Sequence, residues 1–210
     1  MYKDKNISMA VIKRLPKYYR YLGELVENDI DRISSKELGE KIGFTASQIR
    51  QDLNCFGDFG QQGYGYNVKE LYKAVGCILG LDKEYKTVLV GAGNIGQAVS
   101  NYTRFDNLGV KIVDIFDANP KLIGMKIRDI EIKDIDVMDS ILEKDKVDIG
   151  IICVPRKNAQ KVADNLIKGG VRAIWNFAPV DLIVPPYVRV ENVHLSESLM
   201  TLVYLLNEEK

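Results

Sequence analysis

Cysteine, histidine and tryptophan are scarce in this chain of 210 residues, at three, one and one. Cys55, Cys77 and Cys153 are odd in number, widely spaced and form no C-x-x-C. That pattern argues against a disulfide framework or a cysteine zinc site and makes the cytosol the default compartment. A histidine metal ligand or a dehydrogenase-like catalytic histidine would have to be His194. Net charge is missing too. The 29 basic and 29 acidic residues cancel, which excludes a chain-wide polycationic surface while leaving room for a local basic patch. No apolar run approaches the roughly 18–20 residues that span a bilayer, and the opening MYKDKNIS lacks the apolar stretch of a signal peptide. Internal repeats and low-complexity segments are absent. What is present, 46% apolar and 28% charged residues, is the composition of an ordinary globular protein with one or two domains.

The pattern changes near Leu81. Ser8 is a good helix cap, and an apolar stripe at helical spacing runs from Met9 to Asn28. Pro16 either kinks this element or begins a new helix. Ser34 and Glu37 form a capping box whose helix stops at Gly43, and Thr45 to Gln48 repeats the pattern before a helix carrying Ile49, Leu53 and Phe56. Two short helices around a tight turn make a helix-turn-helix. Four glycines interleaved with aromatics between Phe56 and Tyr66 then suit a hairpin, completing a winged helix. A helix over Val68–Leu79 follows.

Beyond Leu81, β-type apolar runs alternate with helical stretches. Strands are expected at Thr87–Val90, Lys111–Asp117, Val147–Val154 and Val171–Phe177. Helices are expected through Val99 and Tyr102, near Val137–Leu142, over Ala159–Lys168 and over Ser196–Asn207. This is an α/β chain: an N-terminal winged helix-turn-helix domain (1–80), a Rossmann doubly wound parallel sheet (81–194) and a terminal helix (195–210). The terminal helix either packs on its own sheet or exchanges with a second subunit.

Gly91-Ala92-Gly93-Asn94-Ile95-Gly96 follows a strand, opens a helix and has Asp117 at the end of the next strand, the context that makes G-x-G-x-x-G a dinucleotide fingerprint. Gly91 permits the tight turn, Gly93 lets a pyrophosphate approach the backbone, and Gly96 lets helix and strand pack closely. Asp117 suits ribose hydroxyls and repels a 2′-phosphate, favouring NAD(H). Val154-Pro155 and Asn176-Phe177-Ala178 end strands at the carboxyl edge, where such sheets bind ligands. Phe177 could equally be core, and Tyr102 is a core aromatic or a ligand contact.

In the first domain, Thr45, Ser47, Gln48, Arg50 and Gln51 present polar groups on the second helix of the pair, suited to base edges in a DNA major groove. Gln61, Gln62 and Tyr64 in the wing suit the duplex backbone or minor groove. Six Lys or Arg against one acid among the first twenty residues, including Arg14, Lys17 and Arg20, supply charge for phosphates. Residues 44–69 are charge-balanced, and winged helices also bind protein or dimerise.

These stretches closely resemble the bacterial redox-sensing transcriptional repressors of the Rex family. The carriers are Arg14 to Leu22, Thr45 to Leu53, Phe59 to Tyr66, Gly91 to Gly96 and Asn176 to Pro179, and the likeness covers nearly the whole length. It implies a homodimeric repressor with an exchanged last helix, NADH or NAD⁺ as ligand, and inverted-repeat operator DNA. It also implies that Tyr102 lies near the nicotinamide and that Arg20 couples the domains by pairing with an acid before the last helix, where this chain has His194. No metal is implied. On this reading the NADH/NAD⁺ ratio sets the placement of the two DNA readers, because an apolar pocket disfavours the charged oxidised ring. The opposing readings are an NAD-dependent oxidoreductase, for which no separate substrate domain is visible, and a cofactor-binding module that recognises protein or another nucleotide.

Overall fold

The computed structural model describes residues 7–61 and 63–208, with Gln61 described through its backbone. Contacts divide the chain into two units between Lys83 and Glu84.

In the first unit, the Ser8 side chain accepts from the Val11 N–H and starts α1 (Met9–Glu27), which continues through Pro16. Pro16 therefore does not begin a new helix. The ring costs the Ile12 carbonyl its partner, but both residues face solvent, where water can take the donor's place. A two-residue strand, β1 (Arg32–Ile33), precedes α2 (Ser35–Ile42), whose capping box closes between Ser34 and Glu37. Thr45 caps α3 (Ala46–Asn54). The wing is β2 (Gly60–Gln61) and β3 (Gly65–Asn67), antiparallel, with β1 added on the far side of β3. Helix α4 (Val68–Leu79) closes the unit. Leu15 and Leu22 of α1, Leu38 of α2, Ile49 and Leu53 of α3, and Leu71 and Val75 of α4 share one buried cluster. Tyr19 of α1 also stacks on Tyr72 of α4 with ring centroids 4.5 Å apart.

The second unit is a Rossmann sheet. Its elements are β4 (Tyr85–Val90), α5 (Asn94–Ser100), a 3-10 helix (Thr103–Leu108), β5 (Val110–Asp117), β6 (Lys126–Ile127), β7 (Ile130–Asp134), α6 (Met138–Leu142), β8 (Ile149–Ile152), α7 (Arg156–Lys168), β9 (Ala173–Asn176) and β10 (Arg189–Asn192). The strand order is β10-β9-β8-β4-β5-β7-β6, parallel except for the β6–β7 pair. Val88 and Val90 belong to the core on one face and Leu89 to the core on the other, so the unbroken apolar run of β4 is buried on both sides. The order reverses between β4 and β8, and ligands bind outside the carboxyl ends of the strands at such a reversal.

Sequence reasoning passed over β1, β6, β7 and β10. They are short, and β7 (Ile130-Glu131-Ile132-Lys133-Asp134) and β10 (Arg189-Val190-Glu191-Asn192) interleave charge with apolar residues. The helix expected through Tyr102 ends at Ser100. The last helix, α8 (Leu195–Glu208), has none of its described residues buried, and Leu199, Leu202, Val203, Leu205 and Leu206 all stand exposed.

Candidate dinucleotide cleft and nucleic-acid face

Strand β4 delivers the chain to Gly91, whose φ of +103° favours glycine and where a Cβ would lie 2.5 Å from the Cys153 carbonyl oxygen. At Gly96 a Cβ would lie 1.8 Å from the Gly91 carbonyl oxygen, so the first turn of α5 rests directly on the loop. At Gly93 a Cβ would meet nothing within 4 Å. Two glycines are thus required by protein neighbours, and the one between them faces open space, as a phosphate approaching the backbone needs. Gly93 also caps α5 without a side chain, leaving the helix N-terminus bare.

Asp117 ends β5 and is fastened to the loop. Its Oδ2 accepts from the Ala92 N–H at 2.6 Å and its Oδ1 from the Asn119 N–H at 2.7 Å. Both bonds hold the carboxylate at the rim of a cleft of about 830 Å³ that is also lined by Gly91, Gly93, Asn94 and Ile95 and, on its far side, by Val154, Pro155, Phe177 and Pro179. Burial pushes the Cys153 thiol in this wall up to about 12, so it stays neutral.

Other expected contacts do not line the cleft. Ala92, Asn176 and Ala178 are buried, as is Gly96. The Asn176 amide donates to the carbonyls of Ala178 and Val180 and to Asn192 Oδ1, and accepts from the Ala178 N–H; it shapes the turn that presents Phe177. Tyr102 is half-exposed at the start of the 3-10 helix. Its ring meets Phe105 at 4.8 Å, Phe105 meets Trp175 at 5.5 Å, and Trp175 meets Phe177 at 4.6 Å. Tyr102 is therefore linked to Phe177 in the cleft wall through two intervening rings.

The cleft also holds polar residues that sequence reasoning missed. Asn158, Lys161 and Asn165 line it from one side of α7, and Asp136 and Asp139 line it as well. The i, i+3, i+7 spacing on α7 was a usable signal. His194 Nε2 lies 3.5 Å from Asp181 Oδ1, which also accepts from the Asn192 amide. A polar chain thus runs from Asn176 to the residue preceding α8.

In the first unit, Ile49, Asp52 and Leu53 are the buried side of α3. Ser47, Arg50, Gln51 and Asn54 form the exposed side at i, i+3, i+4 and i+7; Asn54 extends the expected reading surface. Thr45 is exposed and caps the helix by accepting from the Gln48 N–H at 3.2 Å, and Gln48 is half-buried. Arg50 Nη1 donates to Ser35 Oγ at 2.9 Å across a hollow between α2, α3 and the wing. Tyr64 is 69% exposed beneath the Arg32 guanidinium. Lys17 is exposed with its Nζ 5.2 Å from the Phe44 ring centroid, and Arg20 is exposed on α1. Gln62 and the side chain of Gln61 lie outside the described residues. Arg14 differs from the rest: its guanidinium is bound to the buried carboxylate of Asp52.

Residues 82–180 match the profile of the "CoA binding domain" family and residues 6–54 that of the family described as "Putative DNA-binding protein N-terminus". Over all 210 residues the chain is 80% identical to the redox-sensing transcriptional repressor Rex of Clostridium beijerinckii, covering 100% of both chains. The chain belongs to the Rex family. The Rex protein of Clostridium botulinum strain Alaska E43 is 74% identical over the same span. Among solved structures, the Rex-family repressor RSP in complex with β-NAD⁺ and operator DNA superposes with a TM-score of 0.92 at 59% identity, covering 98% of this chain and 95% of that one. RSP in complex with β-NADH gives 0.91 at 56% identity, covering 98% and 97%. Rex relatives this close are transcriptional repressors rather than enzymes.

Proposed function

We infer that this chain is a redox-sensing transcriptional repressor that holds operator DNA through its winged helix and lets go when NADH enters the cleft. The observation that carries this reading is the three-glycine turn. It is jammed at Gly91 and Gly96, open at Gly93 and fastened to Asp117, in a chain that also presents an exposed polar stripe on α3.

The residues fit a dinucleotide with free adenosine ribose hydroxyls. Backbone N–H groups of the glycine loop hold a diphosphate, and Asp117 accepts from ribose hydroxyls while repelling a ribose phosphate. That repulsion favours NAD(H) over NADP(H), and over coenzyme A, which carries a 3′-phosphate. When bound, the nicotinamide supplies a ring that is cationic when oxidised and neutral when reduced. Val154, Phe177 and Pro179 give the cleft an apolar wall that disfavours the cationic form. We assign Tyr102 to the sensing of ring occupancy through Phe105, Trp175 and Phe177.

On the DNA side, Arg50, Gln51, Ser47 and Gln48 read base edges; Lys17, Thr45, Tyr64 and the wing glutamines Gln61 and Gln62 position the duplex. The working form is a homodimer in the cytoplasm, matched to an inverted repeat, and the exposed leucines of α8 are covered by exchange with the second subunit. Arg20 and His194 carry communication between coenzyme occupancy and DNA reading. Because binding is linked, DNA weakens NADH by the factor with which NADH weakens DNA.

The test is fluorescence anisotropy with an inverted-repeat duplex selected from a random pool by the chain, titrated separately with NADH and NAD⁺ at fixed salt. Release at lower NADH than NAD⁺ concentration is expected. Equal release by both forms overturns the redox reading, and failure to select any duplex overturns the DNA reading.

A further inference from the structure

Asp52 is the one buried carboxylate among the described residues, 3% exposed on the inner side of α3. Arg14 of α1 grips it with Nε on Oδ2 at 2.6 Å and Nη2 on Oδ1 at 2.7 Å, and the hydroxyl of Tyr18, itself fully buried, donates to Oδ2 at 2.5 Å. Tyr18 belongs to the buried cluster that also includes Leu15, Leu22, Leu38, Ile49 and Leu53, so α3 has ample apolar surface to pack on α1 without the polar groups. Apolar side chains of similar volume commonly replace such a buried pair at no loss of stability. The fork instead supplies direction. A planar guanidinium meeting both carboxylate oxygens fixes the carboxylate's plane, and the Tyr18 hydroxyl adds a third anchor. Apolar contacts tolerate a helix turning about its axis by several degrees; this fork does not. Asp52 follows Arg50 and Gln51 directly in the chain, so turning α3 moves those two reading groups.

We propose that Arg14, Tyr18 and Asp52 form a positioning triad that sets the rotation and depth of α3, and that Arg14 acts on operator choice through Asp52 rather than as a phosphate contact. The inference rests on the DNA-binding reading above. It reassigns Arg14, whose charge is matched by Asp52, from the group of residues that neutralise the duplex backbone. Sequence specificity then depends on three residues that touch no base.

The test uses the full chain, the inverted-repeat duplex that the unaltered chain selects, and a scrambled duplex of the same composition, measured by anisotropy between about 50 and 200 mM salt. Arg14→Lys keeps the charge but loses the fork. We expect its preference for the selected duplex to fall tenfold or more while the scrambled duplex binds as before. A retained preference overturns the proposal, since a phosphate contact tolerates lysine. In R14M/Y18F/D52L no polar group is left unpaired, and we expect a folded protein by circular dichroism with the same loss of preference and an unchanged salt slope. A folded triple variant with full preference shows that the triad only packs the unit and overturns the proposal, as does a salt slope smaller by about one. If the triple variant does not fold, Arg14→Lys decides. A chain that selects no duplex at all sinks the DNA reading instead, an outcome distinct from either variant's failure.

Discussion

In the dinucleotide unit the groups aimed at a ligand belong largely to the main chain: the N–H groups around Gly93, set by two glycines that leave no space for a Cβ. In the winged-helix unit the groups we assign to DNA are side chains on the outer face of α3, and a buried polar cluster, which we propose sets them, lies on its inner face. A backbone site is specified where residues are missing a side chain. A side-chain site depends on partners far away in sequence, since Arg14 and Asp52 are 38 residues apart. The first kind is brittle to added atoms, the second to lost directionality.

The sharpest way to break this contrast is Gly96→Ala. Its methyl group would lie 1.8 Å from the Gly91 carbonyl oxygen, and we expect a loss of about 3 kcal/mol or more in stability together with loss of NADH binding, read by thermal melting and NADH fluorescence. If binding survives, the glycine loop is not the rigid cradle described. Next is Asp117→Ala, expected to weaken NADH by about 1.5–3 kcal/mol and to narrow the discrimination against NADPH; unchanged selectivity removes the ribose assignment. Arg50→Ala tests the other half. A reader of bases costs about 1–3 kcal/mol on the selected duplex and little on a scrambled one, whereas equal losses on both, by anisotropy, make it a phosphate contact anchored by Ser35. The smallest effect concerns Cys153. Burial raises its thiol to about 12, so iodoacetamide at pH 9 should alkylate the exposed Cys77 and spare Cys153, as peptide mass spectrometry can show. Once unfolded, the same thiol ionises near its ordinary value. Its neutral state therefore favours the folded chain below about pH 9, and that contribution is lost as pH rises toward 12.

Legibility followed the same divide. The tight turn at Gly91, the close packing at Gly96, the open backbone at Gly93 and the place of Asp117 at a strand end could be written from the sequence because each depends on neighbours close in the chain or on a fixed spacing. The capping box at Ser34 and Glu37 and the buried spacing of Ile49 and Leu53 are equally local. What could not be read was partnership across the fold. Arg14 looks like any basic residue near a DNA-binding helix until Asp52 is seen beneath it. Tyr102 looks like part of α5 until the helix ends at Ser100 and the ring turns to Phe105. Asn176 and Ala178 looked like ligand contacts because they end a strand, yet the amide of Asn176 is spent on the turn's own carbonyls. The polar residues of α7 and Asp136 and Asp139 belong to the cleft only because the sheet brings β7, β8 and their following segments to one edge.

Local chemistry, then, decided where most helices and the main strands form, that the chain carries a glycine-rich strand-to-helix turn and a helix-turn-helix, and which acid ends β5. These depend on dihedral preference, periodicity and capping, all of which act within a few residues. Folding in three dimensions decided which charges are neutralised internally, which aromatic rings reach the cleft and which strand ends form its wall. Those outcomes depend on distances between segments that no short-range preference encodes, because a buried ion pair or a ring stack exists only when packing brings its two halves together.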